Sequence, residues 1–141
     1  MKISGFGEEK IILKEIAMLM SLSAKTAPKG KGQDTVEIMT LTEKDKDAIS
    51  DEMRNMADKF GKDWIRDAIN VEKAPVLMLF GIKGPASLGV NCGACGYDTC
   101  DKMLNTDRDQ SFMFSGPTCV IRAVDLGISI GSAVKTAQIH N

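Results

Sequence analysis

Long apolar runs, histidine and a surplus of either charge are all scarce in this chain of 141 residues, and each scarcity removes a class of function. The longest unbroken apolar stretches, such as Val76–Phe80, reach five residues, against the roughly 20 that a membrane-spanning helix requires. No membrane association is expected. The segment 1–20 is weakly apolar, but Lys14 and Glu15 interrupt it and no small-residue cleavage site follows, so it does not read as a signal peptide. A soluble, cytoplasmic protein is the expectation. Eighteen basic side chains against nineteen acidic ones leave a net charge of −1, without the basic excess that phosphate neutralisation demands, and nucleic acid is not an expected partner. The single histidine, His140, stands beside the last residue, a poor place for a catalytic base or ligand. Internal repeats and low-complexity tracts are missing as well.

What is present is ordinary for a folded protein: 43% apolar and 26% charged residues in a length that suits one domain, residues 1–141. Residues 8–26 read as a helix ended by Pro28 and the glycines at 30 and 32. Its apolar positions cover most of its girth, which predicts burial on several sides, by its own core or by a second copy in a homodimer. Asp34 to Leu41 reads as a strand. Thr42 with Asp45 resembles a capping box ahead of an amphipathic helix carrying Ile49, Met53, Met56, Ala57 and Phe60, which Gly61 ends. A short helix over 62–71 follows, with Trp64 as a core residue. The run Ala74 to Ile82 reads as a strand buried on both faces. A short helix is expected over 99–105, and a short strand at Ser111 to Phe114. The last segment, from Thr118 onward, is helical, and Gly127, Gly131, Ser132 and Ala133 on it predict the close approach of another backbone. The pattern is still helical where the chain stops at Asn141. The fold class that follows is α/β (α+β), a small mixed sheet flanked by helices.

The cysteines carry the chemistry. Cys92, Cys95 and Cys100 lie within twelve residues of "GVNCGACGYDTC", and the one other cysteine, Cys119, follows in "GPTC". In a reducing cytosol such clustering favours metal ligands or catalytic thiols over disulfides. Four thiolates match the four ligand positions of a [4Fe–4S] cubane. Gly93 and Gly96 each follow a cysteine, where a tight loop needs unusual dihedrals and inward N–H groups. Cys119 falls at the start of the last helix, whose partial positive charge favours a thiolate. A structural zinc site would pair two knuckles, and the second is missing. A plant-type [2Fe–2S] site has the reverse order of spacings. A redox dithiol at Cys92 and Cys95 leaves the other two cysteines unexplained. Asp98 and Asp101 are placed to tune a nearby cluster through their charge, or are plain surface residues.

The run "CGACGYDTC" with "GPTC" resembles the four-cysteine iron–sulfur domain of the Rnf-complex B subunit, of corrinoid iron–sulfur proteins and of some hydrogenase subunits. With "TAPKGKG", "APVLMLFG" and "DLGISIGSAVKTA", nearly the whole chain is similar to a family of small uncharacterised ferredoxin-domain proteins of archaea and anaerobic bacteria. That resemblance implies a [4Fe–4S] cluster on Cys92, Cys95, Cys100 and Cys119, with residues 83–119 as the cluster-binding segment. It also implies a chain that continues past residue 141 in other members.

The order of elements also resembles the nitroreductase fold, in which an "APS" turn after the first helix helps to hold FMN. Ala27 and Pro28 match that turn, Lys29 replaces its serine, and "GQDT" stands where Asn-x-Gln-Pro is usual. This resemblance implies a flavin phosphate near Lys25, Pro28, Lys29 and Lys31; the plain alternative is a solvated lysine-rich turn. Three readings follow. The first is one-electron transfer through a [4Fe–4S] cluster to a redox partner protein. The second is an FMN-dependent reductase fed by the cluster, and the third a zinc-stabilised interaction module.

Overall fold

The helical spacing that opens the chain becomes α1, Glu9–Thr26. The computed structural model describes residues 8–111 and 113–140. Part of the segment read for a signal peptide, residues 1–7, lies outside them, as does Phe112. After α1 come a 3₁₀ turn at Gly30–Gly32, strand β1 (Val36–Thr42) and a second 3₁₀ turn at Glu43–Lys46. Helices α2 (Asp47–Phe60) and α3 (Asp63–Lys73) lead to strand β2 (Val76–Ile82), and α4 (Cys100–Leu104) and α5 (Val120–Ile139) complete the order. The strands pair as a two-stranded antiparallel sheet, flanked in the chain by helices, so the α+β class holds. Among the described residues no helix is long and apolar enough to cross a membrane.

The residues group into two compact units, one formed by the chain up to Met18 with Met39–Leu79, the other by Leu19–Ile38 with the chain from Phe80 onward. In the first unit α2 and α3 pack as a helical hairpin. Gly61, at φ 109, ends α2 and returns its N–H to Ala57 O, and the Phe60 and Trp64 rings then meet 6.3 Å apart across the turn. Trp64 is half-buried; Ser50, Ala57 and Ala68 form the tightly packed face. Arg54 Nη2 reaches Glu72 Oε1 at 2.6 Å between the two helices. Lys46 has only 5% of its surface exposed and donates to the carbonyls of Val71, Glu72 and Ala74, the free acceptors at the C-terminal end of α3. The capping box expected at Thr42 does not form: its side chain makes no capping bond, because the 3₁₀ turn with Glu43 at φ 51 intervenes before α2 starts.

In the second unit Ala24, Ala27, Val36, Met103 and Ala133 are buried. One stripe of α5, Arg122, Asp125, Ser129 and Ala133, faces inward, and Ser23 Oγ meets Thr136 Oγ1 at 2.6 Å. Lys29, its side chain 3% exposed, turns back to donate to Ala24 O, Lys25 O and Ala27 O, so it caps the C-terminus of α1 as Lys46 caps α3.

Four expectations are corrected. Every residue of β2 is half-buried, not buried on both faces, because a two-stranded sheet offers only one neighbouring strand. A Cβ built on Gly127 or Gly131 meets nothing within 4 Å among the described residues, so no described segment closes on these two glycines, although Ala133 on the same helix is buried. The expected burial of α1 by the chain's own core does not form: only Ala17 and Ala24 of it are buried, while Ile11, Ile12, Met18, Leu19 and Leu22 are exposed. Ser111, Met113 and Phe114 form no strand; among the described residues the pairing nearby is a single antiparallel bridge between Asp109 and Gly116.

Two predictions follow from the caps. Lys46→Met keeps most of the aliphatic stem and strands three carbonyls, and lowers the unfolding free energy by about 2–3 kcal/mol; a denaturant midpoint equal to that of the wild type contradicts the capping role. At Asp34, burial pushes the carboxyl up. The hydrogen bond from Lys25, the Val36 N–H and the charges of Lys29 and Lys25 outweigh burial and hold the group below its ordinary value. A depressed carboxylate stabilises the fold above its unfolded pKa of about 3.9 and loses that contribution as pH falls through the lower folded value. Asp34→Asn therefore lowers the thermal midpoint at neutral pH, and its gap from wild type closes below about pH 4. A gap that persists unchanged into stronger acid excludes this account.

Candidate metal centre

Between β2 and α4 the chain has no regular structure, and its course is set by residues in the left-handed region. Asn91 lies at φ 48, Gly93 at φ 73 and Gly96 at φ 89. The N–H of Gly96 donates to Gly93 O at 2.9 Å, closing a turn that presents Cys95. A side chain at either glycine would be strained there, which is the physical reason each cysteine of the pair is followed by glycine.

Asn91 fastens this turn to α4. Its Oδ1 accepts the Cys100 N–H at 2.8 Å, and its own N–H points at Cys100 Sγ, 3.4 Å away. Thr99 caps α4 by accepting the Lys102 N–H at 3.3 Å, which fixes Cys100 as the first helical residue. The Asn91 N–H holds the Cys100 thiol below its ordinary pKa against the opposing effect of burial; the Ser87 side chain and the N–H groups of Val90 and Gly89 add to it. Successive N–H groups aimed at one sulfur form an anion-binding concavity.

Cys119 arrives from a different segment. It is buried, it is the N-cap residue of the 20-residue α5, and its side chain makes no capping bond, so the sulfur is not engaged by its own helix. The turn before it, with a cis Gly116–Pro117 peptide, is held by Arg108. That guanidinium donates to Ser115 O at 2.8 Å, Pro117 O at 2.9 Å and Ser115 Oγ at 3.2 Å.

All four cysteines line one hollow, together with Leu88, Val90, Tyr97, Met103 and Val120; the space between its walls, solvent included, is about 300 Å³. The thiols are free, and their exposure falls from Cys92 (exposed) through Cys95 and Cys100 (intermediate) to Cys119 (buried). Among the described residues no three or more His, Cys, Asp or Glu side chains converge to hold one metal ion. Four soft donors spread around a common hollow with apolar walls match a group that offers each thiolate its own iron, and the donor set fits an iron–sulfur cluster.

The other residues named from sequence have different surroundings. Lys25 donates to Asp34 Oδ2 at 2.8 Å and to Val36 O at 2.9 Å, Lys29 is turned to the end of α1, Lys31 is exposed at φ 55, and Pro28 lines a separate open hollow with Ser132 and Lys135. Asp98 is exposed and paired with Lys102, and Asp101 is exposed on α4. Sequence reasoning missed Ser87, Asn91 and Arg108. Asn91 had a readable signal, since asparagine directly before a Cys-Gly turn is among the few residues that tolerate positive φ. Arg108 had none, because its two shortest bonds go to main-chain oxygens, Ser115 O and Pro117 O.

A relative from Archaeoglobus fulgidus, described as an uncharacterised protein, is 44% identical over 127 residues, covering 90% of this chain and 68% of the relative. Residues 115–141, which contain Cys119, match the family described as uncharacterised protein containing a ferredoxin domain (DUF2148). No solved structure matches. With this identity over nine-tenths of its length, and with four free cysteines gathered at one hollow, the chain belongs to that family of ferredoxin-domain proteins.

Proposed function

We propose that the protein binds a [4Fe–4S] cluster through Cys92, Cys95, Cys100 and Cys119, within the segment 83–119 of a single functional domain, and that it transfers single electrons to a partner protein. The observation that carries this reading is the meeting of all four free cysteines at one hollow from two separate segments. When bound, such a group supplies one reversible electron and, with four thiolate ligands, no open position for a substrate. The chain's own residues do the rest. Asn91 turns its N–H toward Cys100 Sγ, and the N-terminus of α5 adds its partial positive charge beside Cys119. Buried Met103 and half-buried Leu88 give the hollow apolar walls on its inner side. The zinc reading is weaker because a structural zinc site pairs two ligand knuckles and the second is missing from the sequence. The flavin reading has lost two of its phosphate donors, since Lys25 and Lys29 are engaged within the chain.

Anaerobic purification or reconstitution, followed by iron, sulfide, zinc and flavin analysis, is the test. About four irons and four sulfides per chain, with a broad absorbance in the visible, are expected. Cys100→Ser or Cys119→Ser loses most of that iron and lowers stability, because the binding energy of the group is partly folding energy. A colourless protein with one zinc, or serine variants with full iron and an unchanged spectrum, refutes the assignment. Stoichiometric FMN in the same preparation would favour the reductase.

A further inference from the structure

The "GKGQ" turn after α1 has no part in the cluster chemistry as described so far, yet it packs behind the cysteine loop. A Cβ added to Gly30 would stand 2.7 Å from Leu88 Cδ1, a side chain that itself lines the cysteine hollow, and 3.4 Å from Asp125 Oδ2. It is this close approach, and not its backbone angles, that favours glycine here, since a side chain would have to displace the end of Leu88. The Gly30 N–H donates to Asp125 Oδ1 at 2.8 Å.

Arg122 sits one turn after Cys119 on the inward stripe of α5, with its side chain 1% exposed and that of Asp125 4% exposed. Nη1 lies 2.9 Å from Asp125 Oδ2 and also donates to Gly30 O and Gln33 O, at 3.3 and 3.2 Å. Nη2 donates to Gln33 Oε1 at 2.6 Å and to Ser87 O at 3.3 Å. Four residues on in the same loop, Asn91 accepts the Cys100 N–H at 2.8 Å and points its own N–H at Cys100 Sγ, 3.4 Å away. One guanidinium therefore joins the helix capped by Cys119, the turn 30–33 and the loop whose Asn91 holds Cys100.

We propose that Arg122, backed by Asp125 and the Gly30–Gln33 turn, is a positioning residue that fixes Cys100 and Cys119 at the separation a cluster requires, with the loop from Ser87 to Asn91 as its link to Cys100. This inference rests on the cluster reading above. Two of the four candidate ligands lie 19 positions apart in sequence, and this network supplies a direct route of polar contacts between their segments. A planar five-donor fork is needed for it: lysine at 122 keeps the charge beside Asp125 and cannot reach Gln33 and Ser87 together.

The test uses reconstituted full chains of wild type, Arg122→Lys, Gln33→Leu and Asn91→Gly, with three readouts: chelator-driven loss of visible absorbance, the paramagnetic resonance spectrum of the reduced protein, and the midpoint potential. Arg122→Lys is expected to take up iron and to lose it about tenfold faster, the scale usual for partners behind metal ligands, with a broadened spectrum. Gln33→Leu shifts the same readouts in the same direction and to a smaller extent. Asn91→Gly keeps the positive φ, removes the acceptor of the Cys100 N–H and shifts the same readouts. If Arg122→Lys does not fold, Gln33→Leu and Asn91→Gly decide, since both remove exposed side chains. Wild-type loss rate, spectrum and potential in the variants that fold overturn this inference alone. A wild-type chain that takes up no iron overturns the cluster reading, and this one with it.

Discussion

Buried cations answered by main-chain carbonyls hold this protein in shape. Removing an ammonium or guanidinium from water costs several kcal/mol unless its donors are matched, and the last carbonyls of a helix are acceptors in want of donors at the negative end of its dipole. Lys29 and Lys46 each answer three carbonyls at a helix C-terminus, and Arg122 answers Gly30 O, Gln33 O and Ser87 O. For Lys29 and Lys46 each need cancels the other, whereas the Nε of Arg122 stays buried without a hydrogen-bond partner among the described residues. The hydrophobic residues that are buried are mostly small, with Ala17, Ala24, Ala57, Ala68 and Ala133 prominent among them, so these contacts carry a share of order that large apolar side chains carry elsewhere.

The same device explains how a loop without regular structure can present thiols in a defined way. Backbone in the left-handed region at Asn91, Gly93 and Gly96 shapes the loop, but shape alone does not set its distance from Cys119. Arg108 fixes the turn before Cys119 through main-chain acceptors, and Arg122 binds the start of α5 to Ser87. Each cysteine-bearing segment is thus held by an arginine that donates to its backbone. Arginine suits this better than lysine because its rigid fork serves several acceptors at once.

Helices α1, α2, α3 and α5 and both strands were legible in the sequence, since apolar spacing and Gly or Pro stops mark them; the class and the four-cysteine pattern were legible for the same kind of reason. What could not be read is where a polar side chain turns. Lys25, Lys29 and Lys31 looked like donors facing a phosphate, yet Lys25 and Lys29 curl back onto the chain, a choice made by carbonyls that no residue type reveals. Thr42 and Asp45 satisfied the capping pattern and were overruled by a 3₁₀ turn. Arg122 and Asp125 did carry a signal that went unread: two opposite charges three residues apart on the helix stripe shared with Ser129 and Ala133 cannot both face inward unless paired.

The graded exposure of the thiols bears on direction. A group held by all four would be shielded on the side of Cys119, Met103 and Leu88 and open on the side of Cys92. Burial of one edge in apolar surroundings disfavours added negative charge and so lowers the potential, while N–H groups aimed at Cys100 act the other way. The two influences fall on different sulfurs. On the proposed reading an electron would have its shortest path out through the Cys92 edge, where Val90 is also exposed.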